Sequence, residues 1–374
     1  MKLHSQIRIV LAPNAFKGSL TAAQVVAHLA VGIGRTAPDA ELVAAPVADG
    51  GDGTLDAALA AGFTRVPVTA HGPTGLPLES AIALRHGVAV VELAAVSGLA
   101  LLPGGRPDPL HASTFGVGEL IVAALDAGCR EVVLGVGGSA STDGGAGLLQ
   151  ALGVRLQADD GTDLPLGGIA LAGLASIDVS GLDSRLADVR LVLACDVDNP
   201  LTGPAGAAAV YGPQKGATPE QVRALDAALA HFAELLDPAA ATRAGAGAAG
   251  GTGFAALAVL GATMAPGIEV VLELAGFDRL LRGADLVVTG EGMLDMQTLR
   301  GKAPAGVARA ARAAGVRCVA VCGQNQLADS ALDEAGISRV YALTDVEPDV
   351  RLCIEAPGPL LERLGELLAN ELAD

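Results

Sequence analysis

Between residues 287 and 304 the chain reads VVTGEGMLDMQTLRGKAP, which sets two carboxylates and a lysine within twelve residues: Glu291, Asp295 and Lys302. Gln297 and Thr298 add neutral polar groups between them. The apolar run ADLVV just before is predicted to be a strand. Gly290 then stands at its carboxyl end, the edge where open α/β sheets hold ligands. Pro304 suits the first turn of a following helix. Carboxylates and a cation in one such loop can hold a divalent metal, orient a hydroxyl and neutralise phosphate.

Other loops repeat the pattern. In APNAFKGS (12–19) a strand runs into Asn14, Lys17 and Ser19, with Ser19 expected as a helix N-cap. In PVADGGDGT (46–54) a strand ends at Asp49, followed by Gly50 and Gly51. In LVLACDVDNPLTGPAGAAAVYGPQKGAT (191–218) an apolar strand delivers Asp196, Asp198 and Asn199 to a glycine-rich loop that ends near Lys215. The stretch GVGGSASTDGG (135–145) carries Gly137, Gly138, Ser139 and Asp143. Gly-Gly-x-Gly precedes an alanine- and leucine-rich helix three times, at 50, 144 and 250, the last including Gly251. Glycine is poor inside helices, so its clustering at helix starts suggests close approach to the backbone, and bare amides there favour an anion.

Composition narrows the classes. Acidic residues number 41 against 24 Lys plus Arg, a formal charge of -17. That sign repels nucleic acid, and an anionic substrate requires a cationic spot built locally. With 51% hydrophobic but 2% aromatic residues and no tryptophan, the cores must be aliphatic. No apolar run approaches the roughly 18 residues of a membrane span, and the N-terminal apolar stretch is too short for a signal peptide. Five cysteines with no CxxC pair suggest small buried side chains and a cytoplasmic protein, and no histidine pair has zinc-ligand spacing.

Short β-branched runs alternate with alanine-rich helical stretches at both ends, which indicates βαβ units and a parallel sheet. From about Val66 to Leu93 the pattern changes to three adjacent strands with Gly and Pro turns, so antiparallel pairing is expected there. The expected fold is two α/β domains. Residues 1–70 plus 272–374 would form a doubly wound, mainly parallel domain from both termini, and residues 71–271 an inserted domain with a mixed sheet. The G-x-G-x-x-A at Gly135, Gly137 and Ala140 leaves an NAD-dependent oxidoreductase as a weak rival, because polar residues rather than a helix follow at once.

Six motifs, in order, then carry a resemblance over nearly the whole length: APNAFKGS, PVADGGDGT, GVGGSASTDGGAG, ACDVDNPLTGPAGAAAVYGPQKGAT, AGAAGGTGFA and TGEGMLDMQTLRGKAPAGVA. The chain resembles the type I glycerate kinase family. The resemblance implies ATP- and Mg²⁺-dependent phosphorylation of D-glycerate, giving 2-phosphoglycerate, in a cleft between two domains. On this expectation ATP lies along the glycine-opened helix starts, at Gly50, Gly51, Gly137, Gly138 and Gly251, with Ser139, Asp143, Asn199, Gln297 and Thr298 beside the substrates. Lys215, Lys302 or Lys17 pairs with the transferring phosphate or the glycerate carboxylate. Asp196 or Asp295, ahead of Asp49, accepts the hydroxyl proton, and Asp198 and Glu291 hold magnesium. The 3-position product and a non-catalytic sugar-acid sensor are the alternatives, and monomer and homodimer are both open. The family's first motif usually has Asp-Ser where this chain has Asn14-Ala15, and Thr-Asn is common where Ser141-Thr142 precede Asp143.

Overall fold

RIVLAP at Arg8–Pro13 is apolar at nearly every position, as a strand covered on both faces must be. It is the first of the strands in this computed structural model, which describes residues 7–373. In chain order the strands are β1 (Arg8–Pro13), β2 (Glu41–Ala44), β3 (Thr64–His71), β4 (Pro77–Arg85), β5 (Val88–Glu92), β6 (Glu131–Gly135), β7 (Arg155–Gln157), β8 (Ser176–Asp178), β9 (Arg190–Ala194), β10 (Thr263–Ala265), β11 (Leu286–Leu294), β12 (Arg317–Asn325) and β13 (Val340–Ala342). They belong to two compact units. Of the described residues, one contains 7–49, 56–62 and 266–373, and the other 50–55 and 63–265.

The first unit is built on a five-stranded sheet in the order β13-β12-β11-β1-β2, parallel throughout. Its strands alternate between two apolar layers. Ile9, Leu11, Leu286, Val288, Val319 and Val321 meet the helices Ala22–Thr36 and Pro357–Ala373. Val10, Val287, Cys318, Ala320 and Cys322 meet the other face, covered by Gly267–Ala275 and Ala303–Ala313. The two cysteines of CVAVC therefore share a face and pack as small apolar side chains. Each fully buried Leu or Ile in these layers contributes roughly 1.5–3 kcal/mol.

The helix Ala22–Thr36 starts with a capping box at Thr21: its Oγ1 accepts from Gln24 N at 3.2 Å, and Gln24 Oε1 accepts from Thr21 N at 2.9 Å. Ser19 is thus not the cap. Its hydroxyl donates instead to the carbonyl of Ile354 at 2.7 Å.

The second unit has a six-stranded mixed sheet in the order β10-β9-β6-β5-β4-β3. β10, β9, β6 and β5 are parallel, and β5-β4-β3 is an antiparallel meander, as the closely spaced strand signals required. The polar stretch after Gln150 holds a small antiparallel pair, β7 with β8. The core is aliphatic apart from a few rings, among them Phe232 and Phe254 in edge-on contact at 5.5 Å. The helix Pro219–Leu236 begins with a second capping box, Thr218 with Gln221.

Candidate active site

Sheet order places one opening in the first unit. From β1 the chain continues to β2 on one side, whereas β11, β12 and β13 build outward on the other. The carboxyl ends of β1 and β11 flank this switch point, where the two connections part and leave a crevice. A pocket of about 290 Å³ lies there. Lys17 and Ser19 line it from the loop after β1, Glu291 and Asp295 from β11 and its continuation, and Lys302 from the residue before the helix Ala303–Ala313.

The acidic side of the pocket is tied down by its own loop. Asp295 N–H donates to Thr298 Oγ1 at 3.0 Å, and Thr298 in turn donates to Glu291 Oε1 at 2.6 Å. Asp295 Oδ1 accepts the amides of Gln297 at 2.7 Å and Thr298 at 3.2 Å. Glu291 is 8% exposed and Thr298 fully buried, while the side chain of Gln297 is exposed. Burial is the main cause that pushes the Glu291 carboxyl above the ordinary carboxylate range, and Asp49 and Asp295 nearby push it further. The Thr298 hydrogen bond and Lys302 pull the other way. Carboxylates crowded like this are hard oxygen donors whose mutual repulsion a divalent cation would relieve. Among the described residues no cluster of three or more His, Cys, Asp or Glu forms a complete cage. Mg²⁺ commonly takes one or two carboxylates and keeps waters and phosphate oxygens, so Glu291 with Asp295 suits it.

Asn14 stands where the family usually has an acid. It is 3% exposed, its amide donates to the Gly290 carbonyl at 2.7 Å, and its Oδ1 accepts from Ala15 N at 2.7 Å. Its main chain ties the end of β1 to β11, and its side-chain oxygen holds the next amide of the loop.

Asp49 belongs to the first unit, near enough to Glu291 to act on its carboxyl, while other candidates follow β6 and β9 in the second unit's sheet. Asp196 and Asp198, just after β9, are exposed. Asn199 is spent on its own loop, donating to Ala205 O at 2.8 Å and accepting from the Tyr211 hydroxyl at 2.6 Å. The glycine clusters pack closely against one another. Gly137 N donates to Gly50 O at 3.1 Å, and Gly144 N to Gly250 O at 2.9 Å. A Cβ on Gly137 would stand 2.4 Å from Gly51 Cα, and one on Gly251 2.6 Å from Gly144 Cα. Gly138, at φ 75°, meets the Asp52 carboxylate in the same way. Neighbouring atoms stand where side chains on these glycines would be, so the glycines let the loops lie against one another.

Asp143 and Lys215 lie inside the second unit. Asp143 is fully buried and accepts from Thr114 N and Oγ1, both at 2.8 Å, from Gly145 N at 3.1 Å and from Gly147 N at 3.3 Å. Burial nevertheless pushes its carboxyl up. Lys215 is 2% exposed and donates to the Ser141 carbonyl. Burial pulls its ammonium down to about 7, against the attraction of Asp143. Neither side chain is presented at a surface. Both organise the loop 139–145 from within, because a charge withdrawn from water needs every available partner. Ser139 belongs to the same buried network, with its Oγ 2.9 Å from Ser141 Oγ. The dinucleotide reading fails here too: no helix begins until Ala146.

The sequence reading missed the apolar side of the first unit's pocket, formed by Phe16, Met293, Val350, Cys353 and Ile354, and the amide of Gln324 beside it. VRLCIE gives no local signal of such a role, since any amphipathic helix reads the same way.

Residues 9–373 match the glycerate kinase family. The chain is 43% identical to a glycerate kinase from Bacillus subtilis over 98% of both sequences. It is 40% identical to glycerate 2-kinase from Escherichia coli over 90% of both. A solved structure of a glycerate kinase 2 from Salmonella typhimurium LT2 superposes with a TM-score of 0.83 at 40% identity, covering 99% of each chain. The chain belongs to the glycerate kinase family and is an enzyme of that class, a phosphotransferase with an alcohol group as acceptor.

Proposed function

We propose that this chain transfers the γ-phosphoryl group of ATP to the 2-hydroxyl of D-glycerate, yielding 2-phospho-D-glycerate and ADP. The bond from the γ-phosphorus to the β–γ bridging oxygen breaks, a bond to the glycerate C2 oxygen forms, and the hydroxyl proton passes to a carboxylate. The observation that supports this best is the pocket at the switch point, where Lys17 and Lys302 stand with Glu291 and Asp295 in a protein of charge -17. Phosphoryl transfer demands positioning and charge neutralisation more than covalent chemistry. The relative named glycerate 2-kinase favours the 2-position over the 3-position.

Lys17 and Lys302 neutralise phosphate or carboxylate oxygens. Asp295, or Asp196 in the second unit, accepts the proton. Bound at Glu291, Mg²⁺ would neutralise charge on the phosphate oxygens. An assay of the product separates the alternatives. With ATP, D-glycerate and enolase alone downstream, phosphoenolpyruvate should form. Formation only after a phosphoglycerate mutase is added would instead give the 3-position, and no turnover at all would favour the sensor.

A further inference from the structure

We infer that the pocket between the loop after β1 and the helix Val350–Glu355 takes the base of a purine nucleotide, with Val350 and Ile354 as its apolar wall. The inference rests on the reading of ATP as phosphoryl donor and adds where the donor's base lies.

Three observations point there. Met293, Val350 and Ile354 are 45%, 44% and 56% exposed, and all three line this pocket. Large hydrophobics scattered singly over a surface need no explanation, but a set gathered on one pocket wall does. Val350 and Ile354 are four residues apart on one helix, so they share a face, and buried Cys353 lines the pocket beside them. The wall is also held in place, because Ser19 Oγ donates to Ile354 O at 2.7 Å and Cys353 packs into the core.

The chemistry of the two substrates then decides the occupant. Every carbon of glycerate carries oxygen, so the acid has no apolar face to lay against isoleucine and valine. A purine is a flat ring whose faces gain from such a wall and whose edge takes hydrogen bonds. Half-buried Gln324 supplies both a donor and an acceptor at that edge. At about 290 Å³ the pocket lies just below the roughly 300–1,000 Å³ usual for ligand sites, and ring-sized space lies on its apolar side. Lys17 and Lys302 also line it, so phosphates leaving the base meet positive charge in an otherwise acidic protein.

The test uses the full chain with Ile354→Ser and, independently, Val350→Ser, both at exposed positions that the core does not need. Uncharged adenosine and ADP serve as calorimetric probes, alongside separate KM values for ATP and glycerate. Each variant should weaken adenosine and ADP binding by about fivefold and raise the KM for ATP to match, with the KM for glycerate unchanged. Unaltered adenosine and ADP affinity in both variants, or a rise in the glycerate KM alone, would overturn the assignment while leaving the kinase reading intact. Failure of the unmodified protein to bind ADP or turn over ATP would instead remove the donor reading, and the base site with it.

Discussion

Thr298 donates its hydroxyl hydrogen to Glu291 Oε1 across 2.6 Å, and both side chains are buried. The bond favours the charged carboxylate where burial disfavours it. Thr298→Val should therefore raise the Glu291 pKa further, so the acid limb of the kcat profile moves to higher pH. Stability has the same sign. The raised carboxyl already costs stability as pH climbs past the ordinary carboxylate value. Losing the bond should cost about 2 kcal/mol at neutral pH, and less as acid protonates the group. Urea unfolding at two pH values measures the second effect, and an unmoved acid limb would contradict the first.

Asp295 has two jobs that one pair of variants separates. Its Oδ1 accepts two amides, which Asn can still do, but Asn cannot take up a proton. If Asp295 is the base, Asp295→Asn should lower kcat by about 10²- to 10⁴-fold with little change in KM. Asp196→Ala is the parallel experiment in the second unit. Full turnover in both variants would remove the general-base assignment.

Lys215 should reveal its burial in the pH dependence of stability. Its folded-state pKa of about 7 lies below its ordinary 10.5. Between those values the unfolded chain binds the extra proton, so this group makes stability rise with pH, by at most about 1.4 kcal/mol per unit. Lys215→Met should flatten that rise between about pH 7 and pH 9. Equal slopes in the two proteins would mean that Lys215 is not desolvated as described.

Gly137 packs where no side chain fits, with the site of a Cβ 2.4 Å from Gly51 Cα. Gly137→Ala must push the loops apart, and about 1–3 kcal/mol of stability should be lost. Thermal unfolding would show it. An unchanged melting temperature would mean that the contact relaxes without cost.

Chelation gives a simpler check on the carboxylates. EDTA should abolish turnover and added Mg²⁺ restore it, with Glu291→Gln needing more metal than the unmodified chain. Activity indifferent to EDTA would exclude magnesium at Glu291.

Much of the scaffold was legible because periodicity is local. The unbroken apolar run of β1 marked a strand buried on both faces, and the dense turns after Val66 marked an antiparallel meander. The start of the first helix was not fixed locally: Ser19 and Thr21 are both sound capping residues, and the reach of Gln24 chose Thr21. Of the candidate residues, Lys17, Glu291, Asp295 and Lys302 line one pocket. Asp143 and Lys215 look equally functional as letters, yet they are enclosed by Thr114, Ser141 and Gly145.

By itself the sequence determined the alternation of strands and helices, the aliphatic cores, and the loops that follow strand ends with polar groups, because each depends on neighbours within a few residues. Tertiary structure decided which of those polar groups remain at a surface and which are drawn inside. It also set the glycines of one loop against the backbone of another and brought Val350 and Ile354 beside Lys17 and Glu291. Burial and proximity arise from segments hundreds of positions apart, and no local pattern of residue types encodes which of them will meet.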